Sequence, residues 1–461
     1  MSGIYGVLQT GMRSLLAQQR GIEVAGHNIA NVNTPGYSRQ TVNLETTMPV
    51  QTSQGMVGTG VTAGESQRVY DRFVGLQIEN ENERLGRWEA QKTALERVET
   101  VFNESSDSGL SMTMGEFWNA WQDLINNPSG NIERVALLGK SETLAFEFQN
   151  TYNQFSPLQH DLDISISSTV DEINLKASEI ADLNQKIIEA EGGGANANDF
   201  RDARDLAVKD LSLMIDVSTY EESSGSINVS LNDGSSLVNA SSTSTLSTMV
   251  GDSGHKDVVW ASDPTVSINS KISGGKLKGW IEVRDVIIPE YMSNLEDLAN
   301  GIKEAVNTAH GNGYDFNGVA GEAFFSGTLE DGSFAVASAI AADSNKIAAS
   351  GTAAGAPGDN SNAIAIAELQ NALMMNSNSA TFDHYYNAMV SDTGIKVQQA
   401  NMSYDHHSAM VSHLENYRES ISGVSLDEEM ISLVQFQLAY DAAAKLISTT
   451  DELLQTLINM V

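Results

Sequence analysis

Several clusters in the chain carry residue types that could do chemistry. His406, His407 and His413 could ligate zinc. A helical zinc site uses histidines at i and i+4, whereas adjacent residues point apart and i,i+6 or i,i+7 spacing aligns a pair only loosely. Surface or packing histidines are expected. Asp199, Asp202 and Asp205 could serve as paired acid–base carboxylates, but Arg201 and Arg204 lie between them. That spacing predicts a charge-laced helix with an Arg201–Asp205 ion pair at i,i+4. The run Gly313-Tyr314-Asp315-Phe316-Asn317-Gly318 partly resembles a calcium loop. Such a loop needs an acid at its first position and a bidentate Glu at its twelfth. Here those positions hold Gly313 and Phe324, so a turn is expected. Glu428 and Glu429 fall in the first turn of a helix, where the dipole favours anions, and Ser425 with Glu428 reads as a capping box.

No GxSxG, P-loop or dinucleotide fingerprint stands in a strand–turn–helix setting. With no cysteine there is no thiolate nucleophile, disulfide or Cys-based zinc site. A non-enzyme is expected, with no catalytic residue, cofactor or metal.

Attention therefore moves to the elements at the chain ends. Leu8, Leu15, Ile22 and Ile29 recur every seven residues, a helical stripe of coiled-coil character. The helix should stop near 31–33, where asparagine tolerates a left-handed cap, and Thr34-Pro35 cannot readily continue it. Pro35-Gly36 fits the centre of a type II turn that leads into Tyr37. At the other end Ile431, Val434, Leu438, Leu446, Leu453 and Leu457 advance near the 3.6-residue period of a second amphipathic helix. Neither helix is expected to be stable alone. Each needs the other, a neighbouring subunit, or both, and the ends are expected to order on assembly.

At 461 residues two to four domains are expected. The expected fold is mainly α with β-rich inserts, an α+β multidomain chain with paired N- and C-terminal coiled-coil-like helices, an elongated helical bundle and β-rich outer domains. Residues 1–37 and 424–461 form the terminal helical assembly domain, and 38–75 an extended arm with short strands. Residues 76–214, 276–310 and 362–423 make the bundle. Residues 215–275 are a β-rich insert, with a hairpin over Ile227, Val229 and Leu231 closed at Asp233-Gly234. Residues 311–361 are a second, β or irregular, insert.

The net charge is −34, yet residues 1–75 carry five Arg against four acids, leaving −35 on the rest. Such acidity argues against nucleic acid, whose phosphates are bound by Lys and Arg, and against anionic membranes. A near-neutral end can approach its own copies, whereas the acidic remainder repels them. No apolar run is long enough to span a bilayer, and no Sec-type signal peptide is expected. The chain reads as cytosolic, or exported by a route that leaves its N-terminus intact.

Asn28 to Gln40, with its run Ala30-Asn31-Val32-Asn33-Thr34-Pro35-Gly36-Tyr37 followed by Ser38-Arg39-Gln40, resembles the flagellar rod, hook and hook-associated axial proteins. Ser38-Arg39-Gln40 is similar to the hook-associated branch in particular. So are Asn198-Asp199-Phe200-Arg201-Asp202-Ala203-Arg204-Asp205, Val306-Asn307-Thr308-Ala309-His310 with Gly313-Tyr314-Asp315, and Ser422-Gly423-Val424-Ser425-Leu426-Asp427-Glu428-Glu429 before Gln437-Leu438-Ala439-Tyr440. Ser425 and Phe200 depart from the family pattern, which has Asn and Leu there. The resemblance implies a structural subunit of the extracellular bacterial flagellum, at the hook–filament junction. Its implied partners are itself in a ring or helical lattice, the hook protein, the next hook-associated protein toward the filament, and a flagellar export chaperone. It also implies type III export without a cleaved signal peptide. Assembly is expected to rest on the two helical stripes and on Asn31, Thr34, Pro35, Gly36 and Tyr37. A hook or rod protein is the alternative within the class; a surface-displayed hydrolase or adhesin on an axial scaffold is the alternative outside it.

Overall fold

A computed structural model describes residues 2–52, 55–102 and 109–460. Helix α1 (Ser2–Ala30) leads through a turn into strand β1 (Gln40–Thr46). The small hairpin β2 (Val50–Thr52) and β3 (Gly55–Val57) follows, and β4 (Val61–Arg68) returns antiparallel to β1. This arm lies against α1.

Asp71 then caps α2 (Arg72–Val101) by accepting from the Phe73 and Val74 amides. The bundle continues through α3 (Leu110–Asn126), α4 (Asn131–Asn153), α5 (Phe155–Gly192) and α6 (Asn198–Met214). Strands β5 (Val217–Glu221), β6 (Ile227–Leu231), β7 (Ser236–Asn239) and β8 (Ser242–Thr243) form one antiparallel sheet. Strands β9 (Leu246–Val250), β10 (Lys256–Trp260) and β11 (Asp263–Ser267) form another. Gly234, at φ +86°, makes the turn expected between β6 and β7. Helix α7 (Gly275–Glu282) runs through a π-helical turn into α8 (Ile288–Gly311). The minimal strands β12 (Phe325–Ser326) and β13 (Ala335–Val336) and the short helices α9 (Ser338–Ala342) and α10 (Ser361–Glu368) lead to α11 (Phe382–Ser422). Helix α12 (Leu426–Asn459) closes the chain.

Two apolar cores hold this together. One gathers Phe117, Trp118, Trp121, Phe148, Phe155 and Tyr291 among α2, α3, α4, α5, α8 and α11. The other packs the middle of α5 and α6 against both sheets, around Ile173, Ile180, Leu211, Val229 and Val258. Residues 311–361 do not stand apart as an outer insert. Their Phe324, Phe325, Leu329, Phe334 and Ile340 enter the first core. A scattered set of apolar residues among Gly, Ala and Ser carries no period by which this could be foreseen.

The run Val306 to His310 pins that segment. Asn307 Oδ1 accepts from the Phe324 and Phe325 amides, at 2.7 and 2.9 Å. His310 Nε2 accepts from Ala348 N at 2.9 Å, so its Nδ1 proton points to Glu322 O at 2.6 Å. The turn expected at 313–318 is present. Asp315 Oδ1 accepts from the Asn317 and Val319 amides, and Gly318 takes φ +79°.

Burial holds His310 neutral and pushes its pKa down from 6.5 to about 4. The unfolded chain therefore binds a proton between those values that the fold refuses. The resulting stability, on the order of 3 kcal/mol, is whole above about pH 6.5 and is lost as pH falls toward 4. His310→Gln should flatten the fall of the unfolding midpoint between pH 7 and 4.5. Equal slopes in wild type and variant would refute this role.

Candidate assembly interface

The two terminal helices pair antiparallel along a seam of small residues. A Cβ on Gly21 would sit 2.7 Å from the Phe436 ring, and one on Gly11 2.9 Å from Ile447 Cγ1. Neither position tolerates a side chain without separating the helices. On α12 the buried and half-buried positions Leu433, Phe436, Tyr440, Ala443, Ile447, Thr450 and Leu454 repeat at alternating three- and four-residue steps. That is the period of a coiled-coil seam.

The sequence-derived stripe on α12 lies on another face. Ile431, Val434, Leu438, Leu446, Leu453 and Leu457 are all exposed, Leu438 by 65%, although Leu446 also leans against the edge of the seam near Gly11. On α1, Leu8, Leu15, Ile22 and Ile29 are half-buried, while Tyr5, Val7, Met12 and Leu16 are exposed. Pairing within the chain thus leaves a long apolar face of each helix uncovered.

The turn after α1 is a polar joint. Thr34 O accepts from Tyr37 N at 3.2 Å and Gly36 takes φ +79°, the expected type II turn around Pro35-Gly36. Asn31 departs from expectation, being absent from the residues with left-handed φ. Its backbone and side-chain amides both donate to His27 O instead, at 3.1 and 3.0 Å.

Asn28, 1% exposed, sits at the centre. Its Oδ1 accepts from Tyr37 Oη (2.8 Å) and Gln40 N (2.9 Å), and its Nδ2 donates to Gln40 O (2.8 Å) and Glu429 Oε2 (3.0 Å). Both donors and both acceptor sites are used. Tyr37 Oη also meets His27 Nδ1 at 3.0 Å. Burial, then Asp199, Asp202 and Glu429, pushes the Tyr37 pKa up, which keeps its donor proton.

Arg39 completes the link to α12. Its Nε donates to the buried Glu429 at 2.8 Å and its Nη1 to Glu428 at 3.1 Å. Ser425 occupies the N-cap position but makes no side-chain cap bond, so the expected capping box does not form. Glu428 turns to Arg39 instead of to its own helix end.

Helix α6 is the socket on the bundle side. Asp202 Oδ2 accepts from Ser38 N at 2.8 Å, and Arg68 Nη1 reaches Asp202 (3.0 Å) and Asp205 (2.7 Å). Gln40 Nε2 donates to Asp199 at 2.7 Å, and Asn198 Nδ2 to Ser66 O at 2.8 Å. The expected Arg201–Asp205 pair is replaced. Arg201 forks to Glu191 (2.6 Å) and Glu221 (2.5 Å), and Asp205 is taken by Arg68 from the arm. A long-range partner in bidentate reach outcompetes an exposed i,i+4 pair worth a few tenths of a kcal/mol. A cavity of about 500 Å³ remains beneath the turn, lined by Pro35, Gly36, Tyr70, Glu79, Lys209 and Glu415. Burial pushes Glu79 up to about 7.

Sequence reasoning missed Asn28, Arg39, Gln40, Arg68 and Glu429 as joint residues, and Gly11 and Gly21 as seam residues. Helix α1 holds five glycines, and the opposing helix distinguishes Gly11 and Gly21 from Gly3, Gly6 and Gly26, which face open space. The tempting clusters resolve otherwise. His407 Nδ1 lies 2.6 Å from Glu81, and no group of three potential metal ligands converges among the described residues.

A chain whose two ends pair, expose apolar faces and are bolted to a helical body through a turn has the build of a structural protein. Comparison with known proteins gives its family. Residues 95–325 match the family model for the flagellar hook-associated protein FlgK helical domain. Residues 8–37 match that of the flagella basal body rod protein, and 418–460 that of the flagellar basal body rod FlgEFG protein C-terminal region. Flagellar hook-associated protein 1 of Bacillus subtilis is 30% identical, with 100% of this chain and 99% of the relative covered. Its namesake in Escherichia coli is 27% identical over 98% and 99%. The fold is similar to the flagellar hook junction protein FlgK from Burkholderia pseudomallei, with TM-score 0.67 and 16% identity over 75% of this chain and 100% of that one. The chain belongs to the flagellar hook-associated protein 1 family, structural proteins of the bacterial flagellum.

Asn28→Asp tests the joint. It replaces two donors with a carboxylate facing Gln40 O and Glu429, a cost on the order of 3 kcal/mol or more. Proteolysis should then cut near 31–45 while the bundle stays intact. An unchanged cleavage pattern would count against the joint.

Proposed function

We infer that the chain is a subunit of the hook–filament junction that polymerises through its terminal helices. One observation carries this: α1 and α12 satisfy each other along a glycine-rich seam and still expose Ile431, Val434, Leu438, Leu446, Leu453 and Leu457. An uncovered apolar face of that length marks a protein-interaction surface. Copies of the chain cover it in a ring or helical lattice, with the hook protein on one side and the next hook-associated protein on the other. The stripe Leu8, Leu15, Ile22 and Ile29 flanks the same surface. Asn31, Thr34, Pro35, Gly36 and Tyr37 act through the joint, setting the angle at which the helix pair leaves the body. The work done is mechanical, with no catalysis and no cofactor. Type III export without a cleaved signal peptide, assisted by a chaperone, fits a chain with no disulfide to form.

Two variants separate pairing from polymerisation. Leu438→Asp should leave helix content and thermal unfolding unchanged and abolish incorporation into flagella. Gly21→Val, which parts the helix pair at Phe436, should abolish incorporation as well. Normal incorporation of Leu438→Asp would refute the reading.

Neither terminal helix contributes to the two apolar cores of the body, so the pair should order fully only on assembly. Amides of 2–30 and 426–459 should exchange quickly in the purified monomer and slowly in isolated flagella, with the bundle protected in both. Strong protection of the termini in the monomer would exclude folding on assembly.

A further inference from the structure

Two carboxyls where the body meets its sheet lack a counter-charge. Glu79 and Glu83 stand one turn apart on α2, both half-buried and both bonded to β5. Strand β5 is an edge of its sheet, which leaves the outer side of its backbone open to α2. Val217 N donates to Glu83 Oε1 at 2.9 Å, and Thr219 Oγ1 to Glu79 Oε2 at 3.2 Å. The core beside this sheet holds no residue of α2, so polar groups make the contact. Among the described residues neither carboxyl has an ion-pair partner, and the cations around them are engaged elsewhere. Arg68 of the arm takes Asp202 and Asp205, Arg72 lies 3.6 Å from Glu221, and Arg84 lies 3.4 Å from Glu81. Lys209 is paired with Glu415, Arg418 with Glu419 at 3.5 Å, and Lys276 of α7 with Glu89 at 3.2 Å. Beside Glu79 this leaves Asp205 and the neutral phenol of Tyr70, and beside Glu83 it leaves Asp216.

About two or three donors hold a carboxylate ionised away from water, and one reaches each of these. Like charges at i,i+4 on a helix also repel. Burial accordingly pushes both Glu79 and Glu83 up to about 7. Glu79 also lines the cavity of about 500 Å³ beneath the turn, which gives water a way to it. We propose that Glu79 and Glu83 form a proton-operated clasp between α2 and the edge of the β5–β8 sheet. Protonated, the two carboxyls sit against β5 as neutral acceptors. Ionised, they repel each other and the nearby Asp205 and Asp216, and they draw water from the cavity into the contact. The closed clasp holds protons that the opened one, with ordinary carboxyls, releases. It is therefore whole below about pH 4.5 and weakens as pH rises through 7. The sign is opposite to that of His310.

Hydrogen exchange of the segment 216–221 in the full chain tests this, once corrected for the intrinsic pH dependence of exchange. Opening of the segment should rise about tenfold for each ionising carboxyl between pH 6 and 8. Glu79→Gln and Glu83→Gln, made singly, should each remove one of those steps. Made together they mimic the neutral pair, and the segment should stay closed across the whole range. Equal protection of the wild-type segment at pH 6 and 8 would overturn the proposal without any variant. So would a rise in the double variant as large as in wild type. A double variant that no longer folds at pH 6 would also count against a clasp closed by neutral side chains.

Discussion

The subunit depends on one buried amide. Among the described residues, Asn28 is the only side chain at the joint that bonds the turn, the arm and the first turn of α12 at once, and all four of its hydrogen-bonding positions are used. A neutral amide suits the place because it offers two donors and two acceptor sites without a charge to desolvate. Glu429, almost fully buried, receives both that amide and Arg39. The charge is therefore compensated on the side where water is excluded. Around this centre the turn is clipped to α6 by Asp199, Asp202 and Asp205.

The joint is polar for a reason that shows in the cores. Neither apolar cluster contains a residue of α1, the arm or α12. The terminal unit is thus attached by directional bonds over a cavity, not by a shared core. Hydrogen bonds and ion pairs set an angle; an apolar interface of equal area sets only a contact.

Helix α12 carries two periodicities at once, on different faces. The alternating three- and four-residue spacing of Leu433 to Leu454 follows α1. The stripe from Ile431 to Leu457 drifts around the helix and stays outside. Glycines 11 and 21 let α1 come close enough that modest residues such as Ala443 and Thr450 suffice for the seam. Phe436, Tyr440 and Ile447 fill the rest of the seam, and the stripe from Ile431 to Leu457 stays exposed. The arm lies on another side of α1, so each face of that helix is assigned: one to α12, one to the arm, one uncovered.

Local signals settled much of this chain without coordinates. Heptad spacing, the Pro35-Gly36 turn and the hairpin at Asp233-Gly234 all follow from nearby residues, because period and turn chemistry act over a few positions. The run from Asn28 to Gln40 likewise pointed to the flagellar axis. What the tertiary structure decided was every pairing between distant residues: Asn28 with Glu429, Arg68 with Asp202 and Asp205, Gly21 with Phe436, and Phe324 with the bundle core. It also decided which face of α12 turns inward. A helix's apolar period says that a face will be buried; only the position of the opposing backbone says which one, and against whom.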